Sequence, residues 1–329
     1  MLKFILTGLG NRGRYWLDEL LQHDGAAIAA CVEPDERQRK LALESHDVSD
    51  DLMFGSLDEA IASTDAACVL DVTPPAVHHE IARKAFDAGL HLLSEKPLSD
   101  DLDRAGEIVD MGRAAGVVHM VAQNYRFNCG ARTLRRLLAE GTIGRPGQCD
   151  VRFYMPWADL PGSHYVTEPY MVIVDMMVHH FDLMRYFMGA DPRRVHAVTW
   201  NHEWGWHKGD AAHSIVFDFG DGRMATHVAN GCSVGHHDDY FGNWRIEGPA
   251  GSLSMTNNRI HHAHIHRVDP TIDRMIEPGD PPGHIIDEFA RAIAEDRPPE
   301  CSAEDNLKTV AMVFAAVRSA REHAWIEIE

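Results

Sequence analysis

Two short patterns in the chain carry side chains able to move protons. One is Glu95-Lys96-Pro97; the other is Asp175-Met176-Met177-Val178-His179, followed by Asp182. Histidine is the side chain best suited to take up and release a proton near neutral pH. On a helix, positions four apart share a face, so Asp175 can hold His179 in one tautomer and orientation. Lys96 offers a fixed cation that can donate to a substrate oxygen and stabilise an alkoxide as it forms. Plainer readings stand beside these: a solvated loop lysine, a histidine satisfied within a core, and, for Asp182, a helix-surface acid or one that supports its neighbours.

Such groups need a scaffold, and the start of the chain supplies one. The apolar run Phe4-Ile5-Leu6 leads into Gly8-Leu9-Gly10-Asn11-Arg12-Gly13, and Glu33 follows 20 residues later at the end of a second apolar run. Strand, glycine turn, helix, strand and acid are the order of a dinucleotide-binding unit. Gly8 permits the tight turn, Gly10 lets backbone approach a pyrophosphate, and Gly13 lets helix and strand pack closely. The helix N-terminus presents free N–H groups to the phosphates. A carboxylate at Glu33 can accept hydrogen bonds from the adenosine ribose and repels a 2′-phosphate. Asn11 and Arg12, inside the turn, join the candidate cofactor contacts.

Strand and helix signals alternate over residues 1–123. The residues Ser56-Leu57-Asp58-Glu59 form a capping box. A buried strand over 67–72 is broken by Thr73-Pro74-Pro75, and the helix after it ends at Gly89. A strand over 91–93 runs into Glu95 and Lys96, Ser99 is expected to cap the next helix, and 117–122 closes the sheet. This alternation predicts a mainly parallel sheet covered on both faces, with ligands at the carboxyl ends of its strands. Gly8, Glu33, Thr73, Glu95, Lys96 and Gln123 fall at such ends. Beyond residue 123 the texture changes. Helices are expected over about 128–140 and 174–188, then a series of strands with few helices between them, then two helices near 284–294 and 303–322. The fold class expected is α/β: an N-terminal Rossmann domain, 1–123, plus a C-terminal α+β domain, 124–329, with a large open, mainly antiparallel sheet.

A chain of 329 residues is long enough for two cores. A net charge of −19 argues against nucleic acid and against an anionic membrane surface as partners. Six cysteines without a CxxC pair, and a first residue run that is already a core strand, lead us to expect a reduced cytoplasmic protein without a leader peptide. No apolar stretch approaches a membrane span.

With the N-terminal fingerprint, the motifs Thr73-Pro74-Pro75-x-x-His78, Glu95-Lys96-Pro97 and Asp175-x-x-x-His179-x-x-Asp182, and the phrase from Asn243 to Leu253, resemble the glucose–fructose oxidoreductase / inositol dehydrogenase / rhizopine-catabolism (Gfo/Idh/MocA) family over essentially the whole chain. The resemblance implies hydride transfer between NAD, or NADP, and a hydroxyl or carbonyl of a sugar or polyol. It assigns Lys96, Asp175 and His179 as the catalytic trio, and Gly8, Gly10, Gly13, Glu33, Thr73, Pro74, His78 and Glu95 as cofactor contacts. It also implies a homodimer or homotetramer built through the open sheet. Glu33 favours NAD, while Arg37 and Arg39 nearby keep dual use open. A shared active site requires Lys96 to point at the substrate with its ammonium close to His179, and Pro97 is a place where a cis bond could aim it.

Substrate contacts are expected from Tyr154, Trp157, Asp182 and His284, since aromatic faces pack against the apolar side of sugar rings. Among 22 histidines, His236-His237-Asp238-Asp239 and the alternating His262, His264 and His266 could hold a metal, but a hydrogen-bonded surface or interface fits the spacing better, and no metal is expected. Two other functions are open: a non-catalytic NAD-binding regulator, and a glycoside-cleaving enzyme that uses NAD transiently.

Overall fold

The computed structural model describes residues 1–157, 166–264, 273–280 and 283–329. It divides into two compact units. The first holds residues 1–123 and 284–310, the second residues 124–283 and 311–329. His266 lies outside the described residues, as does the side chain of His264.

The first unit is built on six parallel strands: β1 (Leu2–Thr7), β2 (Ala26–Val32), β3 (Met53–Phe54), β4 (Cys68–Asp71), β5 (His91–Ser94) and β6 (His119–Val121), in the order β3-β2-β1-β4-β5-β6. Phe4, Ile5 and Leu6 are fully buried, as expected of a strand with helices on both faces. The helices are α1 (Asn11–Gln22), α2 (Glu36–Ser45), α3 (Leu57–Ser63), α4 (His78–Asp87) and α5 (Leu102–Ala115). Ser56 caps α3 by accepting from the Glu59 N–H. Ser99 does not cap α5: Asp101 takes that role by accepting from the Arg104 N–H, and Ser99 instead accepts from the Asp101 N–H. A carboxylate next to the helix outcompetes the more distant hydroxyl.

Helix α8 (Ile285–Ala294) belongs to this unit although it follows the second in sequence. Its Phe289 is fully buried and stacks obliquely on Phe4 of β1, ring centroids 6.1 Å apart. The division between units falls within α9 (Ala303–Glu322).

The second unit carries nine strands. They are β7 (Gln148–Tyr154), β8 (Arg194–Trp200), β9 (Ala212–Gly220), β10 (Arg223–Asn230), β11 (Asn243–Gly248), β12 (Gly251–Thr256), β13 (Arg259–His264), β14 (Asp273–Ile276) and β15 (Ile326–Glu327). Their order is β14-β13-β12-β11-β7-β10-β9-β8-β15, and every pair is antiparallel except β7 with β10. Alternation along β9 and β10 buries Ile215, Phe217, Ala225 and Ala229 and leaves their neighbours half-exposed, the pattern of a sheet covered on one face. Helix α6 (Cys129–Ala139) is capped by Asn128. Helix α7 (Met177–Met188) is buried on nearly every side, which accounts for its Met- and Phe-rich sequence. Among the described residues no helix is long and apolar enough to cross a membrane.

Candidate active site

In the first unit the strand order reverses between β1 and β4, and the loops after these two strands form the crevice where such sheets bind ligands. Gly8 follows β1 with φ +86°, and a β-carbon there would stand 2.9 Å from the Val72 carbonyl oxygen after β4. A β-carbon on Gly13 would stand 1.9 Å from the Gly8 carbonyl oxygen, so only glycine allows this turn to close. Around Gly10 the opposite holds, with no atom within 4 Å of the β-carbon position. Gly10 is the N-cap of α1, and no side chain caps that helix. Open space beside uncapped N–H groups is the arrangement a pyrophosphate fills, and these residues fit a dinucleotide.

The two glycines should therefore fail differently. Gly10→Ala should leave the melting temperature near wild type but weaken NADH binding about tenfold or more, by filling the phosphate's space. Gly13→Ala should lower both stability and NADH affinity, since backbone must move. Thermal unfolding with NADH fluorescence titration checks this; equal stability loss in both variants would contradict it.

Glu33 is only 9% exposed. Its Oε2 accepts from the Leu9 N–H at 2.8 Å and its Oε1 from the Asp35 N–H at 3.0 Å. These bonds fix the carboxylate beneath the glycine turn and leave it lone pairs for further donors. Asn11 Oδ1 accepts from Arg14 at 2.6 Å. Arg12 donates from Nε to Glu95 Oε1 at 2.5 Å and lies over the Tyr15 ring, 4.5 Å from its centroid. Glu95 also accepts from the Trp16 indole at 2.7 Å and from the Lys96 N–H at 3.1 Å. The strand end carrying Lys96 is thus tied to α1 before Lys96 itself is considered. The Lys96–Pro97 peptide bond is cis. Thr73 donates from its N–H and hydroxyl to Asp71 Oδ1, at 3.0 and 2.6 Å. Gln123 is fully buried after β6. His78 is buried on backbone carbonyls.

In the second unit, Asp175 lies not in regular α-helix but in a π-helical turn, Val172–Met176, that opens into α7. The wider turn replaces the α spacing assumed for Asp175 and His179, and such insertions recur at functional sites. His179 stacks on Tyr125, rings 4.3 Å apart and 9° from parallel. Tyr125 was not legible as a site residue. It is buried, and burial together with Tyr240, Asp239 and Asp175 holds its phenol well above the ordinary range, so it remains a hydrogen-bond donor.

Behind His179 runs a buried chain of imidazoles. His180 Nδ1 lies 2.9 Å from His227 Nε2, and His227 Nδ1 lies 3.0 Å from His213 Nε2. Burial pushes His180 and His213 down to about 3 and His227 well below its ordinary value, so all three are neutral.

The expected substrate contacts are placed unevenly. Tyr154 is exposed at the end of β7, with Arg152 over its ring. Trp157 is half-buried against Phe153 and Tyr240. Asp182 is 1% exposed, and both of its oxygens are held by Arg126, each at 2.6 Å. The structure makes it the buried partner of an arginine, whose removal would cost about 3–5 kcal/mol, not an open ligand.

His284 is the N-cap of α8 in the first unit, 3.3 Å from Glu19. Glu19 lies roughly 13 Å along α1 from the glycine turn at 1.5 Å per residue. His284 also belongs to a group with metal-like spacing, His23, His284 and Asp287, whose ligand atoms lie within 4.8 Å of one another. Each Nδ1 in it accepts a backbone N–H, from Gly25 at 3.1 Å and Ile286 at 3.2 Å. Each Nε2 therefore carries the proton and donates to a carboxylate, Asp287 or Glu19. A metal on Nε2 would turn each Nδ1 into a donor facing a donor. Asp238, in the other candidate cluster, is committed to Arg152, Asn243 and the Tyr154 N–H. Burial raises the Cys31 thiol to about 12 and pushes Cys68 and Cys149 higher, so these three are not nucleophiles.

Fold and glycine turn define a Rossmann-type, dinucleotide-binding protein. Residues 2–123 match the oxidoreductase family with NAD-binding Rossmann fold, and residues 131–254 match the GFO/IDH/MocA C-terminal domain. The chain belongs to the GFO/IDH/MocA oxidoreductase family. Its relatives include 1,5-anhydro-D-fructose reductase of Ensifer adhaerens, 25% identical over 100% of this chain and 99% of the relative. Myo-inositol 2-dehydrogenase of Thermotoga maritima is 24% identical over 98% of each. An oxidoreductase from Agrobacterium radiobacter, crystallised with NAD+, L-tartaric acid and magnesium, superimposes with a TM-score of 0.89 at 20% identity, over 99% of this chain and 98% of that one.

Proposed function

We propose that the protein is an NAD-dependent dehydrogenase or reductase acting on a CH–OH group of a sugar or polyol. The observation that carries this reading is the presence in one chain of a dinucleotide turn and of His179, set in a π-to-α helix junction and stacked on Tyr125. Relatives named for a sugar and a polyol support the substrate class.

In oxidation, His179 takes the hydroxyl proton; NAD held at the glycine turn would supply the nicotinamide that accepts the hydride from the carbon bearing that hydroxyl. Lys96 donates to the same oxygen and stabilises its developing charge. Asp175 orients His179 and stabilises its cation. Stacking against Tyr125 fixes the imidazole plane, so the proton leaves along one direction. In reduction the roles reverse. Tyr154 and Trp157 remain our candidates for the sugar's apolar face, and Asp182 supports the site through Arg126.

Absorbance at 340 nm across a panel of sugars, polyols and sugar acids tests the reading: at least one should reduce NAD stoichiometrically. Binding of NADH without turnover of any panel member would favour the regulator. Sugar cleavage without net NADH would favour the glycoside-cleaving enzyme.

Glu33 sets the cofactor. Its carboxylate, fixed by Leu9 and Asp35, should give NAD a kcat/KM at least tenfold above NADP. Glu33→Ala should narrow that gap. Equal use of both cofactors by wild type would assign the selection to Arg37 or Arg39 instead.

A further inference from the structure

His78 opens α4 and is 2% exposed. Everything its ring nitrogens meet is an acceptor. Nε2 lies 2.9 Å from the Thr73 carbonyl oxygen and 4.0 Å from Asp71 Oδ2; Nδ1 lies 3.3 Å from the Leu98 carbonyl oxygen. Thr73 belongs to the loop after β4. Leu98 belongs to the loop after β5, two residues beyond Lys96. One buried ring thus spans the two strand-end loops that carry the Thr73 cofactor contact and the proposed Lys96 donor.

Asp71, at the end of β4, completes the bracket. It is fully buried. Its Oδ1 accepts from the Thr7 hydroxyl at 3.2 Å and from the Thr73 N–H and hydroxyl. Its Oδ2 has no hydrogen-bond partner among the described residues, and faces His78. A buried polar atom without a partner calls for a reason. Oδ2 stands 4.0 Å from His78 Nε2, too far for a hydrogen bond, while that nitrogen is directed at the Thr73 carbonyl, so the ring is the nearest polar group able to answer it.

We propose that His78 is a positioning residue rather than the direct cofactor contact the resemblance implies: with both ring nitrogens turned to backbone carbonyls, it sets the spacing of the Thr73 and Lys96 loops, and through them both cofactor affinity and the seat of Lys96. The part concerning Lys96 rests on the function proposed above; the part concerning NAD does not.

Three variants test it. His78→Phe keeps a ring of similar size but donates nothing. His78→Gln keeps one side-chain donor. His91→Phe is the structural control, a half-buried histidine of the same unit at the amino end of β5 whose Nδ1 accepts from the Val118 N–H. NADH titration should show His78→Phe weakened tenfold or more, His78→Gln intermediate, and His91→Phe unchanged. At saturating NAD, kcat should also fall in His78→Phe, while KM for the sugar or polyol changes little.

If His78→Phe does not fold, His78→Gln decides by the same titration. A His78 variant that melts earlier but binds NADH as wild type does would overturn the proposal and leave the residue a core histidine. Loss of NADH affinity in an enzyme that turns over no panel substrate would keep the loop-spacing role and sink only the reading of Lys96.

Discussion

Replacing His179 by alanine should lower kcat roughly 10²-fold or more, because the hydroxyl proton then has no positioned acceptor. NADH affinity should change little, since His179 takes no part in the glycine turn. Lys96→Ala should lower kcat by a similar factor through loss of charge stabilisation at the reacting oxygen. Steady-state kinetics with NADH titration separates the two effects. Near-wild-type turnover in either variant would remove that residue from the mechanism. The variants should also couple: if both groups act on one oxygen, the double variant should lose less than the product of the single losses.

The second large effect concerns acid. His119, His180 and His213 are pushed down to about 3 by burial, and His227 well below its ordinary value. In the unfolded chain each would titrate near about 6.5. Between those values the unfolded state binds more protons than the folded one, so stability rises with pH across the window and is lost as pH falls below about 6.5. Each histidine contributes about 1.4 kcal/mol per pH unit. Acting in the same direction, they make the fold lose stability steeply as the pH falls below about 6.5. Urea midpoints measured from pH 8 to pH 5 should fall steeply below pH 6.5. A flat profile over that range would mean that these rings take up protons within the fold.

What could be read from the sequence was what backbone chemistry dictates locally. Gly8 and Gly13 are legible because their positions forbid a β-carbon. The cap at Ser56, which accepts from the Glu59 N–H, is legible because both partners lie within one turn. Where the deciding partner is distant, the reading loses its grip. Asp182 looks like a free acid until Arg126 is brought against it from 56 residues away. His284 looks available to a substrate until α8 returns to the first unit and sets it beside Glu19. Tyr125 gave no signal, because stacking on His179 depends on how its segment meets α7. The spacing of Asp175 and His179 reads as α-helical, and nothing in Val172–Met176 announces a π-helical turn. The capping of α5 was misread for a smaller reason: Ser99 and Asp101 compete over two residues, and the acid wins.

The central claim is that this chain moves a hydride between a carbinol carbon and nicotinamide. Isotope tracing tests it most directly. The panel substrate, deuterated at its reacting carbon, is incubated with NAD and the wild-type enzyme, and the nucleotide is examined by NMR. We expect one deuterium on nicotinamide C4 for each substrate molecule oxidised, with the rate suppressed in His179→Ala. Deuterium found in solvent, or retained in the sugar while NADH forms, would contradict the account.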